Sequence, residues 1–336
     1  MMRKKWFESL DSNDQEIIEK ADFPEWVDPM LATLTKDYFS DPDWIFERKL
    51  DGVRCLVYKN GDMLKLGSRN RKDITEVYPE VRNNIEIAGD HHLSVDGEIV
   101  AFDGNVTSFS KLQNRMQLNS PDAKDIDKTP VELYVFDLIW LDGYDLQKLR
   151  LRDRKRLLKS IFTFNDTIHF TQHRNEDGEA FFKEACEKNW EGLIAKDATS
   201  RYLNSRSKKW LKFKCSAQQE LVIGGYTDPE GDRIGFGAIL VGFYEDDELR
   251  YAGKVGTGFD DDELRSLHDK FRSLHQSKNP FQDKIGEEDI HFIKPDLVAE
   301  ISFTEWTDDH KLRHPSYLGL RHDKSPKDVV KEDTDH

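Results

Sequence analysis

The stretch Phe46-Glu47-Arg48-Lys49-Leu50-Asp51-Gly52-Val53-Arg54 decides how the rest of the chain is read. It leaves the apolar run Trp44-Ile45-Phe46, carries the pattern Lys-x-Asp-Gly-x-Arg, and enters a second apolar run, Cys55-Leu56-Val57-Tyr58. Strand-like flanks predict a turn at Asp51-Gly52 and an amine at Lys49 that backbone on both sides can aim. So short a pattern also suits a surface hairpin with solvated charges, and residues elsewhere in the chain decide between the two.

Working outward, 336 residues leave room for about two domains with cores of their own. Hydrophobic content of 37% beside 34% charged residues reads as globular, and no apolar run approaches the roughly 18 residues of a membrane span. The start, Met1-Met2-Arg3-Lys4-Lys5-Trp6-Phe7, has basic residues but no apolar segment behind them, so a secretory signal is not expected. Cys55, Cys186 and Cys215 are odd in number and far apart. They fit neither a zinc spacing nor a disulfide framework, which points to buried thiols and a cytoplasmic location. The formal net charge of −15 argues against nucleic acid as a partner. Binding depends on where cations lie, however, and the acid-free run Arg206-Ser207-Lys208-Lys209-Trp210-Leu211-Lys212-Phe213-Lys214 keeps a local basic face open.

Residues 1–21 read as a short polar helix or a loosely attached extension. Asn60-Gly61 predicts a hairpin turn leading into Met63-Leu64-Lys65-Leu66. Leu93 to Phe102 reads as a strand pair bent at Asp96-Gly97, and Val131 to Leu141 as a strand carrying Asp137. Helices are expected at Ser108 to Met116, Leu149 to Phe162, Glu179 to Lys188 and Asp261 to Leu274, with a polar loop at 118–130. In Trp210 to Lys214 the alternation puts Lys212 and Lys214 on one face. After Cys215 come short strands with glycine turns and one inserted helix, which suggests a small OB-fold barrel.

Lys49, Glu98, Asp137, Glu191, Lys196, Lys212 and Lys214 each lie in or beside an apolar strand, where charge is costly unless paired or used. Each alone suits a structural ion pair; together, with both signs, they suggest a shared cleft. Lysines with strand-end carboxylates suit phosphate and divalent-metal chemistry. Walker and kinase glycine loops, GxSxG and HExxH are all missing from the sequence, so another scaffold must supply that chemistry.

Over residues 24–328, with motifs in family order, the chain resembles ATP-dependent DNA ligases of the nucleotidyltransferase superfamily, and especially the ligase domain of bacterial end-joining ligase D. The resemblance implies an α+β fold: an N-terminal extension at 1–21, an adenylation domain at 22–216, an OB-fold β-barrel at 217–328 and a tail at 329–336. It implies ATP and Mg²⁺ (or Mn²⁺) as cofactors. Lys49 matches the lysine that becomes adenylated, with Asp51 beside it in the catalytic motif. Glu47 matches the position that reads the adenine amino group, Arg54 one near the ribose and nick, and Phe136 the aromatic that stacks on adenine. Glu98 matches the motif carboxylate at the ribose and metal, and Glu191 resembles the second metal-associated carboxylate. Lys196, Lys212 and Lys214 match lysines around the α-phosphate, and these cations with the metal are expected to depress the Lys49 pKa. Arg69 and Lys254 match DNA-facing positions, while Arg321, Asp323 and Lys324 would meet the triphosphate. The implied partner is nicked duplex DNA, met by a monomer, with Ku or other repair proteins as further candidates and no membrane. An RNA ligase, a GTP-using capping enzyme and a non-catalytic DNA-end-binding module are the alternatives.

Overall fold

The computed structural model describes residues 5–87, 91–229, 231, 233–307 and 309–332. The chain divides into two compact units, 1–215 and 216–336. Among the described residues the first unit holds two main sheets. The larger has seven strands, in the order Glu19–Lys20, Tyr144–Asp145, Glu132–Leu141, Leu93–Val100, Val53–Asn60 and Met63–Ser68, with Ile168–Phe170 also beside Glu132–Leu141. The smaller has five, in the order His173–Asn175, Trp44–Arg48, Gly192–Asp197, Arg206–Lys214 and Leu31–Leu34.

The Lys-x-Asp-Gly stretch is not a hairpin. Trp44–Arg48 pairs within the smaller sheet, and Val53–Asn60 pairs within the larger one. Residues 49–52 are therefore a crossover from one sheet to the other. Gly52 makes the passage possible, because a Cβ there would lie 2.2 Å from the Ile99 carbonyl oxygen.

Alternation along the smaller sheet explains its two faces. Phe46, Leu193, Ala195 and Phe213 point to one side and pack with Phe181 and Ala185 of the Gly178–Glu187 helix. The intervening Glu47, Lys196, Lys212 and Lys214 point to the other. That second face looks onto a core shared with the larger sheet, built from Leu56, Tyr58, Phe136, Ile139, Tyr202 and Trp210. The larger sheet's far side carries the main core, including Val53, Cys55, Val57, Leu133, Val135, Leu157 and Leu158.

Several local expectations need correction. Residues 5–20 are firmly attached, since Trp6, Phe7, Leu10 and Ile18 are buried in the main core and Trp6 Nε1 donates to Asp142 Oδ2 at 3.2 Å. Residues 1–4 lie outside the described residues. The hairpin loop is Gly61-Asp62, one position later than expected, with Asn60 paired to Met63. Only Gly61 has positive φ there, which glycine accepts without a steric penalty. Leu93–Val100 is one strand, whose Asp96-Gly97 produces a register shift rather than a bend between two strands. The 118–130 loop contains a helix, Ala123–Lys128, with a capping box closed by Asp122 and Asp125. Cys186 and Cys215, read as thiols, form a disulfide because the helix end and the strand end meet, while Cys55 is a buried free thiol.

The second unit is a five-stranded antiparallel sheet in the order Glu248–Val255, Ile239–Glu245, Ala217–Thr227, Ile290–Phe303 and Ser316–Leu320, with the Asp261–Ser273 helix between its third and fourth strands in sequence. This is the connectivity of a Greek-key OB sheet, but among the described residues the two outer strands do not pair. The expected barrel is thus an open sheet, consistent with the partly open form of such folds. Residues 329–332, expected as a tail, join this unit: Val329 is buried and the Tyr244 N–H donates to its carbonyl at 2.7 Å. Residues 333–336 lie outside the described residues.

Candidate active site

Lys49 leaves the Trp44–Arg48 strand with its backbone N–H bonded to the Gly192 carbonyl at 2.9 Å. This contact puts it beside Glu191, the residue before the next strand, and Nζ lies 2.5 Å from Glu191 Oε1. The other carboxylate oxygen, Oε2, is buried with no hydrogen-bond partner. Burial disfavours the charged amine, and Lys214 adds to that effect. The Glu191 carboxylate outweighs both, however, and with Asp51 it holds Lys49 above the ordinary lysine value. The expected depression is therefore not seen in this state.

Lys214 is the Cα partner of Gly192, and Lys212 that of Ile194, which in turn faces Glu47. Directly opposed residues share a face, so Lys212, Lys214 and Glu47 all lie on the face of the smaller sheet turned toward the larger one. Lys196 sits on the same face but away from Lys49. Its Nζ pairs with Glu47 Oε2 at 2.6 Å and lies 4.1 Å from the ring centroids of both Phe136 and Trp210. Burial, helped by Lys155, lowers the Lys196 pKa against the pull of Glu47. Its expected place among phosphate-facing lysines is not what these contacts describe; they belong with Phe136.

The larger sheet supplies the opposite wall. Arg54 makes a two-pronged contact with Asp96, Nε to Oδ1 and Nη2 to Oδ2 both at 2.5 Å, and lies 4.8 Å from the Phe136 ring centroid. Tyr202 donates to Asp96 Oδ2 at 2.6 Å. Glu98 is the Cα partner of Arg54 and half-buried on the same face. Asp51 is held by its backbone N–H, which donates to Thr107 Oγ1 at 3.1 Å. Asp137 is a structural partner: Arg154 grips it with contacts of 2.7 and 2.9 Å, both side chains being fully buried.

Arg69, also in the first unit, is half-buried in a loop closed by the Arg71 N–H to the Ser68 carbonyl at 2.9 Å. In the second unit Lys254 is exposed. Arg321 donates twice to Asp323 at 2.9 Å and approaches Glu300 at 3.5 Å, while Lys324 pairs with Glu220 at 2.8 Å.

Sequence reasoning missed Lys155, Asp96, Tyr202 and Trp210. Lys155 Nζ bonds Glu47 Oε1 at 2.5 Å, and only 3% of its side chain is exposed. Its signal was helical spacing: Leu151, Arg154, Lys155 and Leu158 share the stripe that faces the core. Trp210 repeats the period of Lys212 and Lys214.

The family model described as ATP dependent DNA ligase domain matches residues 29–214, and the ATP dependent DNA ligase C terminal region matches residues 232–324. The multifunctional non-homologous end joining DNA repair protein LigD of Mycobacterium tuberculosis is 39% identical over 311 residues, covering 90% of this chain and 40% of that protein. DNA ligase 2 of Korarchaeum cryptofilum is 33% identical over 327 residues, covering 85% of this chain and 54% of that protein. The chain thus spans 40% of the LigD relative and about half of the archaeal one. Among solved structures, mycobacterial DNA ligase D complexed with ATP and MES matches with a TM-score of 0.66 at 36% identity, covering 91% of this chain and 98% of that one. This chain belongs to the ATP-dependent DNA ligase family.

Proposed function

We propose that this chain seals 5′-phosphate/3′-hydroxyl nicks in duplex DNA with ATP, through AMP carried first on Lys49 and then on the DNA. The observation that carries the proposal is the Lys49 amine, paired with Glu191 beside the sheet face that presents Lys212 and Lys214. A nucleophilic lysine beside a carboxylate and further cations suits attack on a phosphate, whose charge the cations offset.

In the first step the neutral Lys49 amine attacks the α-phosphorus of ATP and the bond to the pyrophosphate oxygen breaks. A 5′-phosphate oxygen of the nick then attacks the same phosphorus, and the phosphorus–nitrogen bond to Lys49 breaks. The 3′-hydroxyl finally attacks the DNA 5′-phosphate and AMP leaves. Lys212 and Lys214 would neutralise the α-phosphate, and Phe136 and Glu47 would take the adenine. Arg54 would lie by the ribose, and Arg69 would hold the 5′-phosphate. Lys254 would face DNA, and Arg321 and Lys324 would exchange their carboxylate partners for the triphosphate.

Among the described residues no group of three or more His, Cys, Asp and Glu is placed to hold a metal ion. Mg²⁺ commonly takes only one or two carboxylates with substrate phosphates, so the buried, unpartnered Glu191 Oε2 suits it, with Glu98 as the second ligand. Bound there, Mg²⁺ or Mn²⁺ would supply positive charge that offsets both the phosphate oxygens and the Glu191 carboxylate. End joining, with Ku as a partner, is the setting that similarity to LigD suggests. Among the described residues no helix is long and apolar enough to cross a membrane.

Sealing of a labelled nicked duplex with ATP and Mg²⁺ tests this proposal. Arg69→Ala should keep Lys49 labelling yet accumulate unsealed nicks. Wild-type protein that leaves every nick open would overturn the assignment.

A further inference from the structure

We propose that Lys155 keeps Glu47 an ionised, acceptor-only group at the nucleobase end of the cleft, and thereby sets the choice of a 6-amino over a 6-oxo purine. The inference rests on the nucleotide-site assignment above and adds a positioning residue to it.

Glu47 is buried, and each of its oxygens meets one lysine, Lys155 at 2.5 Å and Lys196 at 2.6 Å. The two lysines are held differently. Lys155 Nζ also donates to the Thr171 carbonyl at 3.1 Å, lies 3.5 Å from the Phe136 carbonyl, and sits 4.5 Å from the Phe170 ring centroid. Lys196 has its ammonium between Phe136 and Trp210, 4.1 Å from each centroid. The other cation over Phe136, Arg54 at 4.8 Å from its centroid, is fixed by two bonds to Asp96, so Lys196 is the one a flat base stacking on Phe136 displaces. Lys155, anchored by carbonyls, stays as the fixed counter-ion of Glu47.

The remaining charged groups around Glu47 do not replace it. His173, its Cα partner on the next strand, has its pKa pushed down to about 4, first by burial and then by Lys155, so it is neutral near pH 7. Lys159 lies one turn further along the helix, 5.8 Å from the Phe170 centroid. Asp137 is closed off by Arg154. Burial works to protonate Glu47, and the two lysines reverse that. With Lys196 displaced and Lys155 removed, burial wins and the carboxyl takes a proton. A carboxylate accepts only, so it bonds a 6-amino group and repels a 6-oxo group. A protonated carboxyl can donate to the 6-oxo group and loses that distinction.

The test is titration calorimetry of the whole chain with ATP and with GTP, without metal, between about pH 6 and 9, on wild type, Lys155→Arg and Lys155→Gln. Wild type and Lys155→Arg should prefer ATP by a ratio that does not change with pH. Lys155→Gln keeps a donor without the charge. Its preference should shrink at least about ten-fold near pH 6 and recover as pH rises and Glu47 ionises. Glu47→Gln, which can turn either amide edge to the base, should lose the preference at every pH. This second variant keeps the proposal open to refutation if Lys155→Gln does not fold. A wild-type ratio in Lys155→Gln at each pH, a retained preference in Glu47→Gln, or no ATP preference in wild type overturns the proposal. Parallel incubation with α-labelled ATP separates the two ideas: no covalent label in wild type removes the ligase assignment, whereas the binding ratios alone judge Lys155.

Discussion

The Lys49 amine is held charged by its Glu191 partner, not in the neutral form that the proposed attack on ATP requires. A free lysine is neutral in roughly one copy per few thousand at pH 7, and the Glu191 pairing raises its pKa further. Glu191→Gln removes the negative partner, so without metal the Lys49 pKa should fall. The pH profile of Lys49 acylation by a small amine-reactive reagent should then move to lower pH, and an unmoved profile would mean that Glu191 does not set the charge of Lys49. Lys49 was legible because its motif is local in sequence. Lys155, Asp96 and Tyr202 were not, since their partners lie 108, 42 and 106 positions away, and only the folded sheets bring them together.

At the scale of elements, the Lys-x-Asp-Gly stretch changes character. Flanking strands are visible in the alternation of Trp44 to Tyr58, but whether two strands pair with each other or with distant partners is a matter of topology. Gly52 decides it by passing against the Ile99 carbonyl. Gly52→Ala should therefore destabilise the fold by about 1–3 kcal/mol, the usual range for overpacking, seen as a lower urea midpoint; an unchanged midpoint would mean that the backbone yields there freely. The Cys186–Cys215 bond closes a separation of 29 residues. In the chain-entropy model it contributes roughly 3.5 kcal/mol, so a reducing dithiol should lower stability by that order. A titration that finds all three thiols free in the untreated protein would contradict the bond. Cysteine spacing could not reveal it, because the bridge joins a helix end to a strand end across a hairpin.

In the whole molecule, strand and helix content was legible from periodicity, and so was the texture change near residue 215. The open edge of the second unit was not, because barrel closure depends on pairing between strands far apart in sequence. Within that unit, burial works to raise the Asp323 pKa, but Arg321 and Lys324 outweigh it and hold it below the ordinary value of 3.8. Stability from a depressed carboxylate is present above the unfolded value and is lost as pH falls through the folded one. The unit should thus weaken below about pH 4, and Asp323→Asn should flatten that limb of a urea-midpoint profile. With a net charge of −15, the proposed contact with DNA would rest on local cations such as Arg69 and Lys254. Sealing should fall steeply as salt rises, and a flat salt profile would argue against backbone-phosphate contacts. The central claim, that Lys49 carries AMP, is tested most directly by mapping the label after incubation with α-labelled ATP and Mg²⁺. The expected result is one adenylated peptide containing Lys49, with no label on Lys49→Ala; label persisting on that variant, or mapped to another residue, would contradict it.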